Sequence, residues 1–168
     1  RGIIVIKLGD VWMNYRELVL KLVDNKKTVA TMESCTGGAV ANAITNVPGA
    51  SEILLFSCVT YSNEFKMKMG VSSEVIDKYS VYSSECADEM SYNISKYAHS
   101  DFGIGVTGKL NRSDINNPYG DDNIVYISIY DKENDKYYRL NVEVLKNTRE
   151  ENKEFVLSMI YDLMMEIL

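Results

Sequence analysis

The chain has 168 residues, 46% of them hydrophobic and 25% charged, which suits one globular domain with its own core. Its formal net charge of −6 argues against a general nucleic-acid binder, because phosphate backbones are held by surplus Lys and Arg. The three cysteines, Cys35, Cys58 and Cys86, suit neither a disulfide framework nor a zinc site, so a reducing cytoplasm is expected; no apolar run approaches the ~20 residues of a membrane span.

In chain order, residues 1–12 read as an N-terminal extension or an extra strand, and residues 13–168 as a single domain. The apolar opening Ile3-Ile4-Val5-Ile6 is shorter than the ~7–15 residues of a secretory signal core. Leu18, Leu22 and Val23 give helical spacing over Met13 to Asn25. Thr28 to Glu33 reads as a short buried strand that runs into Ser34-Cys35-Thr36-Gly37-Gly38. Ala39 to Thr45 then reads as a helix, ended by Pro48-Gly49. The long apolar run Ile53 to Tyr61 predicts a buried central strand. A short helix is expected at Ser73 to Lys78. Ser83 is placed to cap a longer one that ends at Ala98. Phe102 to Thr107 is another strand, and a polar loop follows from Gly108 to Asn123. Ile124 to Tyr130 and Tyr137 to Leu145 flank the charged turn Asp131 to Lys136 in a hairpin pattern. Thr148 and Glu151 form a capping-box pair. They open a last helix with an apolar stripe through Val156, Met159, Ile160, Leu163, Met164 and Ile167. This order predicts an α/β fold: a three-layer α/β/α sandwich around a mixed, mostly parallel sheet.

Ligands in such sheets sit beyond the carboxyl ends of the strands. At the first such junction Ser34 lies where a strand hands over to a helix. Gly37 and Gly38 there let a ligand approach the backbone. Free N–H groups and the positive end of the helix would suit a phosphate or an oxyanion. A plain helix cap with a glycine turn explains the same residues. At the second junction, one turn of helix after Tyr61 brings Lys66 back toward the strand end. A desolvated lysine there can act as a general base and activate Ser34; a surface lysine is the alternative. The third junction offers Thr107 and Gly108. Arg149 stands in the first turn of the last helix, where the dipole disfavours a cation, so an anionic ligand would explain it; a solvated arginine or a pair with Glu33 or Glu52 would also. His99, the single histidine, reads as structural. Cys35 is a second-choice nucleophile, with its pKa lowered if it sits at a helix N-terminus.

Taken together, Glu33-Ser34-Cys35-Thr36-Gly37-Gly38 and Val59-Thr60-Tyr61-Ser62-Asn63-Glu64 with Lys66 and Gly70-Val71 resemble the C-terminal domain of the competence/damage-inducible CinA family. Pro48-Gly49-Ala50-Ser51, Val106-Thr107-Gly108, Pro118-Tyr119-Gly120 and the Thr148-Arg149 helix entry continue the resemblance. It implies a nicotinamide-nucleotide amidase that turns nicotinamide mononucleotide and water into nicotinate mononucleotide and ammonia, with no metal and no cofactor. It also implies roles: Ser34 as nucleophile, Lys66 as its base, Tyr61 as an orienting or relaying hydroxyl. Thr36, Gly37, Gly38, Thr107, Gly108 and Arg149 would bind substrate. The expected partner is the nucleotide, with no nucleic acid and no membrane; a homo-oligomer is compatible. The separate nucleotide-processing domain found in longer family members, and its activity, are not expected in this chain.

One segment departs from the family pattern. After Val-Thr-Gly the family usually continues Ile-Ala-Gly-Pro and a run of glycines. Here the chain reads Lys109-Leu110-Asn111-Arg112-Ser113-Asp114. The alternative expectation is therefore a catalytically silent relative that binds a nucleotide or a protein partner.

Overall fold

A computed structural model describes residues 8–168. The expectation for the first seven residues lies outside that range. Helix α1 (Leu8–Asp24) begins at Leu8 rather than at Met13, within the stretch read as an extension. Strand β1 (Val29–Glu33) follows, then α2 (Ala39–Thr45), β2 (Ser57–Val59), α3 (Asn63–Lys68), α4 (Ser73–Tyr79) and α5 (Ser84–Ala98). The chain closes with β3 (Phe102–Gly108), β4 (Ile124–Asp131), β5 (Lys136–Glu143) and α6 (Arg149–Ile167).

The sheet order is β2-β1-β3-β4-β5. β1 runs parallel to β2 and β3, while β4 lies antiparallel to β3 and β5. The sheet is therefore mixed in equal measure, because the late hairpin contributes two antiparallel pairings. Period-two alternation gives the central strands two apolar faces. Val29, Ile104, Val106, Val125, Ile127 and Ile129 point into a core shared with α1, α2 and α6. Ala30 and Met32 join Cys86, Met90 and Ile94 of α5 on the opposite face. Helices thus cover both faces.

The predicted caps form. Ser83 accepts from the Cys86 N–H at 3.1 Å, and Thr148 accepts from the Glu151 N–H at 3.1 Å. His99 is the left-handed C-cap of α5, with φ 54°.

One element differs from expectation. The apolar run after Ile53 forms only a three-residue strand, and that strand lies at the sheet edge. Ile53 itself is buried, and its carbonyl accepts from the Val29 N–H at 2.8 Å. Leu55, Phe56 and Val59 are exposed beyond it. An apolar run reports that a segment favours extended structure, but not how many neighbours it finds. No helix among the described residues is long and apolar enough to cross a membrane.

Candidate active site

The carboxyl ends of β1, β2 and β3 meet at one point. The Ser34 N–H donates to the Val106 carbonyl at 2.9 Å, and the Thr60 N–H donates to the Glu33 carbonyl at 2.8 Å. These bonds fix the chain on either side of Ser34. Ser62 then caps α3, accepting from the Phe65 N–H at 3.3 Å. One turn later α3 delivers Lys66 back under the strand ends. Lys66 Nζ lies 3.1 Å from Ser34 Oγ and donates to the Thr60 carbonyl at 2.8 Å. Ser34 is 6% exposed and Lys66 2%.

Burial pulls the Lys66 pKa below its ordinary value, since desolvation disfavours the ammonium. The nearby Cys86, Cys35 and Asp114 pull the other way by a smaller amount. The result is an amine with a raised population of its neutral, proton-accepting form, in contact with a hydroxyl. That is the arrangement a lysine base needs to activate a serine nucleophile.

Ser34 opens on a cavity of about 650 Å³. Gly108, Tyr61, Tyr82, Leu110, Arg112 and Arg149 are among the residues that line it. Arg149 Nη2 donates to the Tyr61 hydroxyl at 3.3 Å. Neither Arg112 nor Arg149 has a carboxylate partner among the described residues. The cavity therefore presents two guanidiniums without an ion-pair partner, together with the Asp114 carboxylate, in a chain of negative net charge.

The rebuilt loop folds over the cavity instead of filling it. Lys109 lines the cavity, but its ammonium is tied within the loop. Its Nζ donates to Asp122 Oδ1 at 3.0 Å and to the Gly120 carbonyl at 3.3 Å, and it stands 5.0 Å from the centre of the Tyr82 ring. The Tyr82 hydroxyl donates to Asp114, which holds the Asp114 carboxyl below the usual range. The side-chain amides of Asn63 and Asn117 pair reciprocally, at 2.9 and 3.3 Å. Three separate anchors thus dock residues 109–123 onto α3 and onto Tyr82, just ahead of α5. Sequence reasoning gave Tyr82 and Asn117 no part and met Asn63 only inside a motif, with no role of its own. Their partners lie 32 to 54 residues away, so no local pattern marks them.

Several expected site residues have other work. Thr36 is buried, and its hydroxyl donates to Glu33 Oε1 at 2.6 Å. Thr107 is buried, and its hydroxyl donates to the Val81 carbonyl at 2.7 Å. Neither side chain reaches the cavity. Gly37 and Gly38 make the turn into α2 with φ 61° and 94°, a region that suits glycine; they too lie off the cavity wall, Gly37 facing the Lys153 ammonium. Cys35 does line the cavity, but burial pushes its thiol up to about 12. The expected lowering fails because Cys35 precedes α2 by four residues and sits in a desolvated pocket.

The positive end of α2 is not free for a ligand either. Glu33, fully buried, occupies it. Its carboxylate accepts from the Val40 and Ala41 N–H groups at 2.9 and 3.0 Å, and from the hydroxyls of Thr36 and Thr31. An anion at a helix N-terminus is favourable, and here the chain supplies its own. What remains for a developing oxyanion is the turn itself: among the described residues the Cys35 and Thr36 N–H groups have no acceptor. We predict that Glu33→Ala, which leaves three buried donors and one half-buried donor unmatched, destabilises the fold by about 3 kcal/mol or more in urea denaturation. A loss below about 1 kcal/mol would mean that water replaces the carboxylate.

Comparison with known proteins gives a consistent pattern. A family model described as the CinA C-terminal domain matches residues 14–168. A competence-damage inducible protein of Clostridium perfringens is 48% identical over 102 residues, covering 60% of this chain and 25% of that protein. One from Alkaliphilus metalliredigens is 39% identical over 125 residues, covering 73% of this chain and 29% of its own length. The matched part thus spans about a quarter of these relatives. Among solved structures, the competence/damage inducible protein CihA from Agrobacterium tumefaciens aligns with a TM-score of 0.85 at 23% identity, covering 97% of this chain and 98% of its own. A CinA superfamily protein from Escherichia coli aligns at 0.84 and 22% identity, covering 99% and 96%. At these identities the structural likeness speaks for the fold.

Proposed function

This chain belongs to the CinA C-terminal domain family, and from that footing we propose that it is an amidohydrolase cleaving the carboxamide of nicotinamide mononucleotide. The observation that carries the proposal is the buried contact between Lys66 Nζ and Ser34 Oγ at the floor of an open cavity.

Neutral Lys66 takes the Ser34 proton as Oγ attacks the carboxamide carbon. The tetrahedral oxyanion falls to the N–H groups of the turn after Ser34; one such donor is worth about 3 kcal/mol in the transition state. Lys66 then returns the proton to the leaving nitrogen, and ammonia departs. Water attacks the resulting ester with Lys66 again as base. Nicotinate mononucleotide is released and the serine is restored. Arg149 and Arg112 suit the phosphate, because guanidinium binds phosphate oxygens in pairs. Tyr61 acts through its bond to Arg149, since its hydroxyl bonds to neither Ser34 nor Lys66 in this structure.

The test is ammonia release from nicotinamide mononucleotide, beside Ser34→Ala. The expected result is release by the wild type and a loss of about 1,000-fold or more in the variant. Equal release by both rejects Ser34 as nucleophile. Binding without release by the wild type favours the silent, nucleotide-binding alternative.

A further inference from the structure

The Ser34–Lys66 pair leaves one hydrogen unaccounted for. A neutral amine has two N–H groups and one lone pair; an ammonium has three N–H groups. With the lone pair turned to Ser34 and one N–H on the Thr60 carbonyl, the neutral form has one N–H without an acceptor. After Lys66 takes the serine proton, one of three is again unmatched. Lys66 is 2% exposed, so bulk water does not supply the acceptor freely.

A hydroxyl without a partner belongs to the residue whose carbonyl Lys66 already contacts. Among the described residues, Thr60 Oγ1 is the one buried side-chain polar atom with no hydrogen-bond partner. Thr60 is 1% exposed, and its carbonyl is already 2.8 Å from Lys66 Nζ. Its own N–H is held by Glu33, so its backbone is fixed. The side chain can still change wells about Cα–Cβ. A buried hydroxyl left without a partner calls for an explanation, and a charge that appears only during the reaction provides one.

We propose that Thr60 is a positioning residue whose hydroxyl takes the remaining N–H of Lys66 as the amine becomes an ammonium. It thereby holds the nitrogen against Ser34 and favours the protonated form. This inference rests on the Ser34–Lys66 reading given above. The other groups facing Lys66 are Cys35 from the turn after β1, Cys86 from α5 and Asp114 from the loop. Burial pushes both thiols up to about 12, and Asp114 is held below the usual carboxylate range. Of these groups, Lys66 is the one whose pKa is displaced toward neutral pH, by burial of its ammonium.

The test uses phenylmethanesulfonyl fluoride on the intact chain, with the Ser34 adduct followed by mass spectrometry as a function of pH. The reagent forms an O–S bond to Ser34 and releases fluoride, and it needs no natural substrate. Wild-type labelling should rise with pH along the Lys66 titration. In Thr60→Val the midpoint should fall by about one pH unit, because a hydrogen bond to the charged form is gone. The limiting rate should drop about tenfold. Thr60→Ser should restore both, and Thr60→Ala should match Thr60→Val, which covers the case of a valine variant that folds poorly. Unchanged midpoints in Thr60→Val and Thr60→Ala overturn the proposal, whatever happens to the rate. A Lys66→Ala chain that labels as fast as wild type, or a wild type that never labels, sinks the nucleophile–base reading itself and this inference with it.

Discussion

Replacing Lys66 with alanine is expected to lower amide turnover by about 100-fold or more while leaving substrate binding nearly intact. The amine touches Ser34 and the Thr60 carbonyl and does not line the cavity, so its loss removes a proton acceptor rather than a binding contact. The pH profile should change with it. Because burial lowers the Lys66 pKa, the active neutral form persists to a lower pH than for an ordinary lysine. Wild-type kcat/KM should fall as pH drops through that lowered value, and Lys66→Ala should lose this limb. Steady-state kinetics with calorimetric binding separates the two quantities. Normal turnover with a large loss of affinity would place Lys66 in recognition instead.

The second large effect concerns packing far from the chemistry. Gly103 and Gly105 face α5 from the first half of β3. A Cβ at Gly103 would stand 1.9 Å from the Ser91 carbonyl oxygen, and one at Gly105 would stand 2.3 Å from that of Ala87. Both obstacles are backbone atoms, which a rotamer change does not relieve. Gly103→Ala is therefore expected to cost about 4 kcal/mol or more, enough to leave much of the chain unfolded. Gly49→Ala is the control. Its φ of 93° is strained for alanine but nothing lies within 4 Å, so about 1–2 kcal/mol is expected. Denaturation midpoints compare the two. Similar losses would mean that α5 slides off β3 at little cost.

The sequence announced those features whose causes are local. Ser83 and Thr148 cap their helices as the residue pattern requires, and the charged turn before Lys136 closes the hairpin. Lys66 was legible because α3 is one short turn beyond a strand end. The edge position of β2 was not, since Leu55, Phe56 and Val59 look the same in a central strand and in a peripheral one. Glu33 was visible only as part of a motif. Its work as the buried cap of α2 depends on four donors arranged by the fold. Cys35 shows the limit of position rules: closeness to a helix start suggested an acidic thiol, but desolvation dominates. Tyr82, Asn63 and Asn117 belong to contacts that exist only after residues 109–123 have docked.

Residues 109–123 are tied to Asn63 and Tyr82 through side chains that a graft could carry along, whereas Ser34 and Lys66 are held by strand ends and a helix that the graft would leave alone. The molecule is in this sense divided into a reaction chassis and an interchangeable visor. Exchanging the visor is expected to change what enters the cavity without moving Ser34 or Lys66, provided that the receiving Asn63 and Tyr82 still find their mates.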